Sequence, residues 1–429
     1  MIELNEEQID KKGYKLHIVN SKKFKTVHIT AKFRCLLKRE TVTKRALLPF
    51  VLQQGTKRYT TSNAFRRALD DLYGAVLSMD GTKKGEQHIL TARMTIANQN
   101  YLSDQHNILT DGLNLFKEAL FAPNVINNRF DPKVVEREKQ TLKQKIAAIV
   151  DDKMHYANMR MIDEMCKEEP YHLHVHGYPD DLERITAEEL YSYYQSVISE
   201  DPLDLYVLGD FESIDIKKLI GNLFDRDLSK HLDLDISSET PVVNEVKDII
   251  EEQELQQGKL HFGYRTHTKY ADKDYPALQV FNAIFGGFPS SKLFINVREK
   301  NSLAYYAASR FESHKGLLFV FSGIAPTDYD RAKAIILEQM EAMREGQFTE
   351  AQIDEAKRLI INQYKETLDD PFGMTEVLYN QQLADSSRSV SEFIDAVESV
   401  NHQAIVQMAN KIELDTTYFL TAKGGQSNA

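Results

Sequence analysis

Three histidines that alternate with other residues are the side chains whose spacing most suggests a metal site in this sequence. His172, His174 and His176 lie within YHLHVHG, residues 171–177. On a β-strand, alternate side chains share one face, and imidazole nitrogens on one face can bind a metal ion. The same spacing also occurs in histidines that pack or face solvent. We adopt this second interpretation and expect at most adventitious metal binding here.

Motifs for other familiar catalytic chemistries are absent from the sequence. Neither H-E-x-x-H nor H-x-x-E-H occurs, so no segment offers the paired histidines and glutamate of a zinc peptidase. Cys35 and Cys166 have no neighbouring base signature, which argues against a thiol nucleophile. Gly286-Gly287 lacks the Lys-Ser/Thr that follows the glycines of a P-loop, so nothing predicts nucleotide binding.

The composition indicates a globular protein that does not act on nucleic acids or within membranes. Its 429 residues, 42% of them hydrophobic, predict two to three domains of roughly 150 residues each. A net charge of -11 gives no basic footprint for nucleic acid, and no apolar run predicts a membrane span. The N-terminal segment lacks the apolar core of a signal peptide, and two cysteines form no disulfide framework. We therefore expect a cytoplasmic, reducing location.

Hydrophobic periodicity predicts the order of strands and helices. We predict strands at residues 14–19, 26–36, 87–97, 201–209 and 259–265, and helices at residues 43–53, 62–73, 108–120 and 131–150. Residues 227–244 have little periodicity and are rich in Ser, Thr, Asp and Pro. This composition is typical of a linker.

A repeated helix pattern indicates that the two halves arose by duplication. Phe130 opens a helix that ends at Asp151, and Phe348 opens another that ends at Asp369. The separation is the same in both halves, since 151 − 130 and 369 − 348 both equal 21. A similar order of elements over about 200 residues makes duplication a better interpretation than coincidence.

The elements and the repeat together predict an α+β fold of two homologous domains. We place an N-terminal domain at residues 1–226, a linker at residues 227–244 and a C-terminal domain at residues 245–429. Each domain would have a mainly antiparallel sheet with helices packed on one face, and the two would face each other across a cleft.

Five segments resemble one family of zinc peptidases. They are the region of Gly55-Thr56 and residues 130–142, 180–194, 205–211 and 286–310. Together they resemble the pitrilysin/insulinase (inverzincin) family, in particular its short mitochondrial-processing-peptidase-like branch. The similarity spans nearly the whole chain, and GGFPSSKLFINVREKNSLAYYAASR, residues 286–310, is its most specific piece. Within this branch the chain is broadly similar to bacterial members associated with modification of elongation factor P.

The resemblance implies a zinc site that this sequence does not retain. The family's H-x-x-E-H window falls on residues 45–50, which read RALLPF. The further glutamate ligand is the second Glu of E-(x)6-E; Glu138 matches the first position and Lys145 occupies the second. Leu and Pro donate nothing to zinc, and a lysine ammonium would repel it. We expect no metal in this chain and no metallopeptidase activity from it alone.

The resemblance also implies a role for Arg298 and Tyr305, seven residues apart. In the family this pair approaches the zinc site across the cleft, where both side chains can donate hydrogen bonds to a scissile carbonyl or its oxyanion. In heterodimeric members one subunit carries H-x-x-E-H, and the other carries the Arg and Tyr without zinc. This sequence fits the second type. Without the motif, the pair would be a surface arginine and a strand tyrosine.

Gly286, Gly287 and Phe288 are a weaker prediction for substrate binding. Paired glycines let a backbone approach a peptide closely or adopt positive φ. The alternative is a tight turn between two elements.

The sequence is compatible with three functions. The first is the non-zinc subunit of a heterodimeric zinc endopeptidase, which completes the active site and peptide chamber of a homologous H-x-x-E-H partner that carries the zinc. Its substrates would be short or unfolded peptides. The second is a catalytically inactive peptide- or protein-binding scaffold or chaperone, and the third is a homodimeric structural protein. Arg298 and Tyr305 favour the first, because a scaffold has no chemical need of them. A homodimer of the isolated chain would be compatible with a heterodimer in the cell, because the two subunits would share a type of interface.

Overall fold

The first half of the chain builds a six-stranded sheet. The computed structural model describes residues 4–102, 107–230, 234 and 241–423. The strands in chain order are β1 (Glu6–Lys11), β2 (Tyr14–Asn20), β3 (Thr26–Leu36), β4 (Val76–Lys84), β5 (Gln87–Ala97), the separate hairpin β6 (Val125–Ile126) and β7 (Arg129–Phe130), and β8 (Leu203–Gly209). The order in the sheet is β1-β2-β8-β3-β5-β4, and only β2 and β8 run parallel.

The second half repeats this topology with five strands. They are β9 (Lys247–Gln253), β10 (Gly258–Arg265), β11 (Ala304–Glu312), β12 (Leu317–Ile324) and β13 (Glu413–Ala422). Their order, β9-β13-β10-β12-β11, matches β2-β8-β3-β5-β4 strand for strand, and β9 and β13 form the parallel pair. This correspondence supports the duplication that the sequence predicts.

Most helices of each half pack on one face of that half's own sheet. Those of the first half are α1 (Val42–Leu52), α2 (Ser62–Asp70), α3 (Ile108–Phe121), α4 (Pro132–Asp151), α5 (Lys153–Met165), α6 (Pro179–Arg184), α7 (Ala187–Glu200) and α8 (Ile216–Ile220). Those of the second half are α9 (Tyr275–Asn282), α10 (Tyr329–Arg344), α11 (Glu350–Thr367), α12 (Pro371–Leu383), α13 (Val390–Ser399) and α14 (His402–Lys411). In the first half, Leu47 of α1, Phe116 of α3 and Leu190 of α7 share a core with Ile29 and Leu205 of the sheet. None of the described helices is both long and apolar enough to cross a membrane.

The two Asp-Asp pairs of the repeat each start a new helix. Asp152 accepts hydrogen bonds from the backbone N–H groups of Met154 (3.0 Å) and His155 (3.1 Å), and so caps α5. Asp370 accepts one from the Gly373 N–H at 2.6 Å and caps α12. Aspartate is a favoured N-cap because its carboxylate satisfies backbone donors that the helix leaves free. The repeat therefore marks a break between consecutive helices in both halves.

Helices α5 and α12 are exchanged between the halves. Met161 of α5 packs with Phe319 and Tyr418 on the second sheet. Tyr379 of α12 packs with Tyr206 on the first sheet. Each sheet is therefore covered on one face by its own helices and on the other by a helix of the opposite half. Separating the halves would expose both contacts to water, which is unfavourable in proportion to the apolar area.

A buried network of charges also joins the halves. Lys315 of the second half lies 2.5 Å from a carboxylate oxygen of Glu86 and 2.6 Å from one of Glu169. Arg265 links Glu169 at 2.6 Å to Asp415 at 2.8 Å. Burial alone would raise the pKa of Glu169, but hydrogen bonds from Arg265 and Lys315 lower it. The charged forms are therefore the ones that this junction stabilises.

The predicted linker can be described only in part. Its residues 227–230, 234 and 241–244 belong to no helix or strand, and residues 231–233 and 235–240 lie outside the described residues. The exact domain boundaries therefore stay a prediction. Between the halves lies a cleft of about 550 Å³, with walls from both sheets' ends and from the end of α12.

Candidate functional site

Helix α1 spans the window where the resemblance would place H-x-x-E-H, and its side chains are used for packing. Arg45 is buried and donates hydrogen bonds to the Asp201 carboxylate at 2.6 Å and to the Phe33 carbonyl at 2.7 Å. Leu47 and Leu48 are fully buried in the core. This part of α1 thus stabilises the first half.

Lys145 of α4 lies against α1, as the resemblance would require of the further zinc ligand. Its ammonium group is 5.6 Å from the centre of the Phe50 ring. Burial, together with the positive charge of Lys145, lowers the pKa of His176 to about 4. Glu138 is buried and accepts a hydrogen bond from Arg137 Nε at 2.7 Å. A cation and an aromatic ring therefore occupy the position between the two helices.

These residues do not fit zinc. Zinc is bound by imidazole, thiolate or carboxylate groups, whereas the α1 window offers Arg, Ala, Leu, Leu, Pro and Phe. Within the described ranges, no group of three or more His, Cys, Asp or Glu side chains could hold a metal ion. No catalytic step can be assigned to a metal held by α1 and α4.

The structure gives each of the three alternating histidines a different environment. Their segment begins with the 3₁₀ turn Pro170–His172 and is not a strand. The His172 ring donates to a main-chain carbonyl three residues earlier at 2.7 Å, and His174 bonds Asp163 at 2.8 Å. His176 is partly buried beside α4 instead. These separate contacts agree with the structural interpretation of the segment.

Arg298 and Tyr305 lie on adjoining elements at the edge of the second sheet, and both face solvent. Arg298 belongs to the π-helix Phe294–Glu299, and Tyr305 is near the start of the edge strand β11. The Arg298 side chain is 44% exposed and Tyr305 is 79% exposed. The guanidinium lies 4.6 Å from the centre of the Phe294 ring and 3.7 Å from the Glu299 carboxylate, too far for a hydrogen bond. The Tyr305 hydroxyl bonds to no residue that the structure describes. Both side chains can donate to another molecule.

The loop between this pair is fixed by hydrogen bonds. The Ser302 N–H donates to the Arg298 carbonyl at 3.0 Å, and Asn301 Nδ2 donates to the Asn296 carbonyl at 2.8 Å. Asn296 Nδ2 in turn donates to the buried Gln339 Oε1 of α10 at 2.7 Å. Sequence reasoning missed these supporting amides, because Asn296 and Gln339 are 43 positions apart and no motif connects them.

Gly286 is required by packing between the π-helix Ala283–Gly287 and β11. A Cβ atom on Gly286 would lie 2.4 Å from Ser309 Oγ and 2.8 Å from Ser309 N, closer than real contacts allow. Its backbone does not adopt positive φ. This packing accounts for Gly286 without a substrate. Contact of Gly286, Gly287 and Phe288 with a peptide stays a prediction.

Replacing Gly286 with alanine should destabilise the chain by about 1–3 kcal/mol, because the added methyl group would overpack the contact with β11. Urea unfolding of the purified variant measures the change. Gly81→Ala is the matched control, since a Cβ there meets only His88 Nε2 at 3.3 Å. Equal stability of Gly286→Ala and the unmodified chain would contradict the close packing described here.

Comparison with known proteins places this arrangement in a family. Residues 184–360 match the family described as "Peptidase M16 inactive domain". A Bacillus subtilis (strain 168) protein named "Probable inactive metalloprotease YmfF" is 48% identical over 415 residues, which cover 97% of each chain. The chain belongs to the M16 peptidases. This is the pitrilysin/insulinase family that the motifs resemble, and among M16 peptidases the chain is of the non-zinc type.

A solved structure and a second curated relative extend this result. The crystal structure of a conserved protein from Enterococcus faecalis V583 has a TM-score of 0.90 and 33% identity, covering 97% of this chain and 99% of that one. It confirms the predicted architecture of two homologous α+β halves with a cleft. Another Bacillus subtilis (strain 168) protein, "Uncharacterized zinc protease YmxG", is 21% identical over 68% of this chain and 71% of its own.

Proposed function

We propose that this M16 chain is the non-zinc subunit of a heterodimeric zinc endopeptidase. It would complete the active site and the peptide chamber of a homologous H-x-x-E-H subunit. The observation that carries the proposal is the contrast between its two halves. The residues of the α1 window are mostly buried and are used for packing, whereas Arg298 and Tyr305 are exposed. Their side-chain hydrogen-bond donors bond to no other residue of the described chain.

Arg298 and Tyr305 would act on the carbonyl of the bond that the partner cleaves. A guanidinium presents a planar fork of donors and a phenol presents one, so both can stabilise the negative charge that develops on this oxygen. The zinc and the general base would belong to the partner. Extended, short or unfolded peptides are the expected substrates, because they can add to a sheet edge of the zinc subunit.

The relatives support a division of roles between two related proteins of one organism. Bacillus subtilis (strain 168) has both YmfF, named as probably inactive, and YmxG, named as a zinc protease. The simplest explanation for an inactive chain with a whole M16 fold is that its surface binds a related, active chain. Partnership with a zinc subunit is our proposal for the present protein.

Mixing experiments test this function directly. The purified chain and the H-x-x-E-H homologue from the same organism are assayed alone and together against a fluorogenic peptide library, and metal content is measured on each. We expect no cleavage by this chain, chelator-sensitive cleavage by the mixture, and zinc only in the homologue. Cleavage by the zinc-free chain alone would contradict the proposal. A stable complex without cleavage would instead favour the peptide-binding scaffold or chaperone.

A further inference from the structure

The cleft between the two halves is a second place where the chain could bind a ligand. It lies near the strand ends of both halves. Arg34 and Gln87 line it from the first half, and Lys269, Tyr270 and His314 line it from the second. Its volume of about 550 Å³ is within the range of small-molecule and peptide-end pockets, roughly 300–1,000 Å³. It involves neither Arg298 nor Tyr305.

Two lysines at the wall of this cleft are already neutralised. Lys84 lies 3.2 Å from a Glu376 carboxylate oxygen, and Lys315 lies within 2.6 Å of both Glu86 and Glu169. These ion pairs join the two halves, and they leave the two lysines with little unneutralised charge to attract a ligand. Lys84 and Lys315 therefore belong to the framework of the cleft.

Two other cations at the wall have no counter-charge. Neither the Arg34 guanidinium nor the Lys269 ammonium forms an ion pair or a side-chain hydrogen bond with any residue that the structure describes. Asp385 is the remaining carboxylate among the described lining residues; it is exposed and pairs with no residue that the structure describes. Among the described lining residues, free positive charge therefore exceeds free negative charge, which favours an anionic ligand although the chain as a whole has a net charge of -11.

Two buried polar atoms define the ligand further. Arg34 Nε and Gln87 Oε1 are both buried and have no hydrogen-bond partner within the described ranges, and Gln87 as a whole is only 8% exposed. An unpaired buried donor and acceptor are each costly, so a ligand that satisfies both gains affinity. Arg34 requires an acceptor such as a carboxylate, whereas Gln87 Oε1 requires a donor such as an amide N–H.

An aromatic wall completes the cleft. The rings of Tyr270 and His314 are stacked, with centroids 5.5 Å apart and planes at 13°. Burial lowers the pKa of His314, and its Nε2 bonds Asn380 Oδ1 at 3.1 Å, so the ring is a neutral surface. A flat neutral wall next to a cationic end suits an apolar side chain close to a carboxylate.

We propose that this cleft binds a carboxylate with an adjacent amide N–H, through Arg34, Lys269 and Gln87. A peptide C-terminus and an N-acylated amino acid both carry this group. The guanidinium fork of Arg34 takes the carboxylate, Lys269 adds charge, and Gln87 Oε1 accepts the amide N–H. The side chain of the last residue lies against Tyr270.

Titration calorimetry on the purified full chain, without a partner subunit, tests the site. The probes are acetyl-alanyl-alanyl-leucine with a free carboxylate, the same peptide as its C-terminal amide, and N-acetyl-leucine. We expect saturable one-site binding of the free acid and at least tenfold weaker binding of the amide. Equal binding of acid and amide, or no binding of any acid, would overturn the proposal. Comparable affinity of N-acetyl-leucine and the peptide acid would identify the small acylated amino acid as the sufficient ligand.

Substitutions assign the affinity to the proposed residues. Arg34→Met and Lys269→Met should each weaken binding of the free acid at least tenfold, because each removes a charge-assisted contact. Lys273→Met is the matched control: it makes the same charge change at an exposed lysine outside the cleft and should bind as the unmodified chain does. Thermal unfolding checks that each variant is folded. Unchanged affinity in both cleft variants would show that the ligand binds elsewhere.

Discussion

Replacing Arg298 with alanine should lower kcat of the reconstituted peptidase by about 10²- to 10³-fold, the usual cost of losing one donor to a developing oxyanion. This expectation rests on the proposed complementation of a zinc subunit. The side chain is 44% exposed, and its nearest carboxylate is 3.7 Å away, so its loss should leave the fold of this chain intact. Peptide cleavage is measured at saturating partner, together with partner zinc content and the affinity between subunits.

A second arginine on the same edge provides the control. Arg310 is exposed on β11, and its guanidinium lies 5.0 Å from the centre of the Phe321 ring. Arg310→Ala removes a charge of the same type nearby and should leave kcat within about twofold. Tyr305→Phe removes only the hydroxyl and should reduce kcat while KM changes little. If Arg298→Ala and Arg310→Ala behaved alike, Arg298 would have no special role at the shared site.

Strands and helices with strong local sequence signals could be predicted from the sequence. Strands β3 and β5 match their predicted bounds, residues 26–36 and 87–97, because polar and apolar residues alternate along most of both segments. Helix α4 was predicted at residues 131–150 and extends over Pro132–Asp151, since Asp131 caps it and a proline follows in the first turn. The second sheet could be inferred because the repeat transfers the topology of the first.

The exchange of α5 and α12 could not be predicted in the same way. An apolar helix face shows that the helix must be buried, but it does not show which of two similar sheets covers it. Both sheets present apolar residues on the receiving face, such as Phe319 on the second and Tyr206 on the first. The choice depends on contacts between residues far apart in sequence.

Long-range contacts at the candidate site could not be predicted from the sequence either. The spacing of Arg298 and Tyr305 within a specific motif was enough to select them, although their catalytic role stays a prediction. At Arg45 the sequence shows a missing zinc ligand, whereas the structure shows a buried ion pair with Asp201, 156 positions away. A lost motif thus indicates which chemistry is absent, and the long-range contacts show what the substituted residue does instead.

Replacing Lys315 with methionine should destabilise the chain by about 3–5 kcal/mol, the range for breaking a buried ion pair by removing one partner. Lys315 lies between Glu86 and Glu169, and none of the three side chains is more than 11% exposed. Without the ammonium group, these two buried carboxylates of the first half lose a cation of the second half that pairs with both of them. Urea unfolding measures the change in the free energy of unfolding.

Lys12→Met provides the matched control at a surface ion pair. Lys12 bonds Asp227 at 2.6 Å, but the side chains are 64% and 88% exposed, so its loss should change the free energy of unfolding far less than Lys315→Met does. A similar cost for both variants would mean that burial adds nothing to the junction between the halves.

The cost of Lys315→Met should also depend on pH, because Glu169 has a lowered pKa. In the unmodified chain, pairing of Glu169 contributes its full stability above the ordinary glutamate pKa of 4.5 and loses it as pH falls through the lower folded-state pKa. In the variant, one of the two cations that lower this pKa is absent, so Glu169 accepts a proton more readily and its burial then costs less. The gap in unfolding free energy between the two proteins should therefore narrow as pH falls from about 7 to below 4.5. A constant gap would show that Lys315 stabilises the junction by packing of its methylene groups and not by its charge.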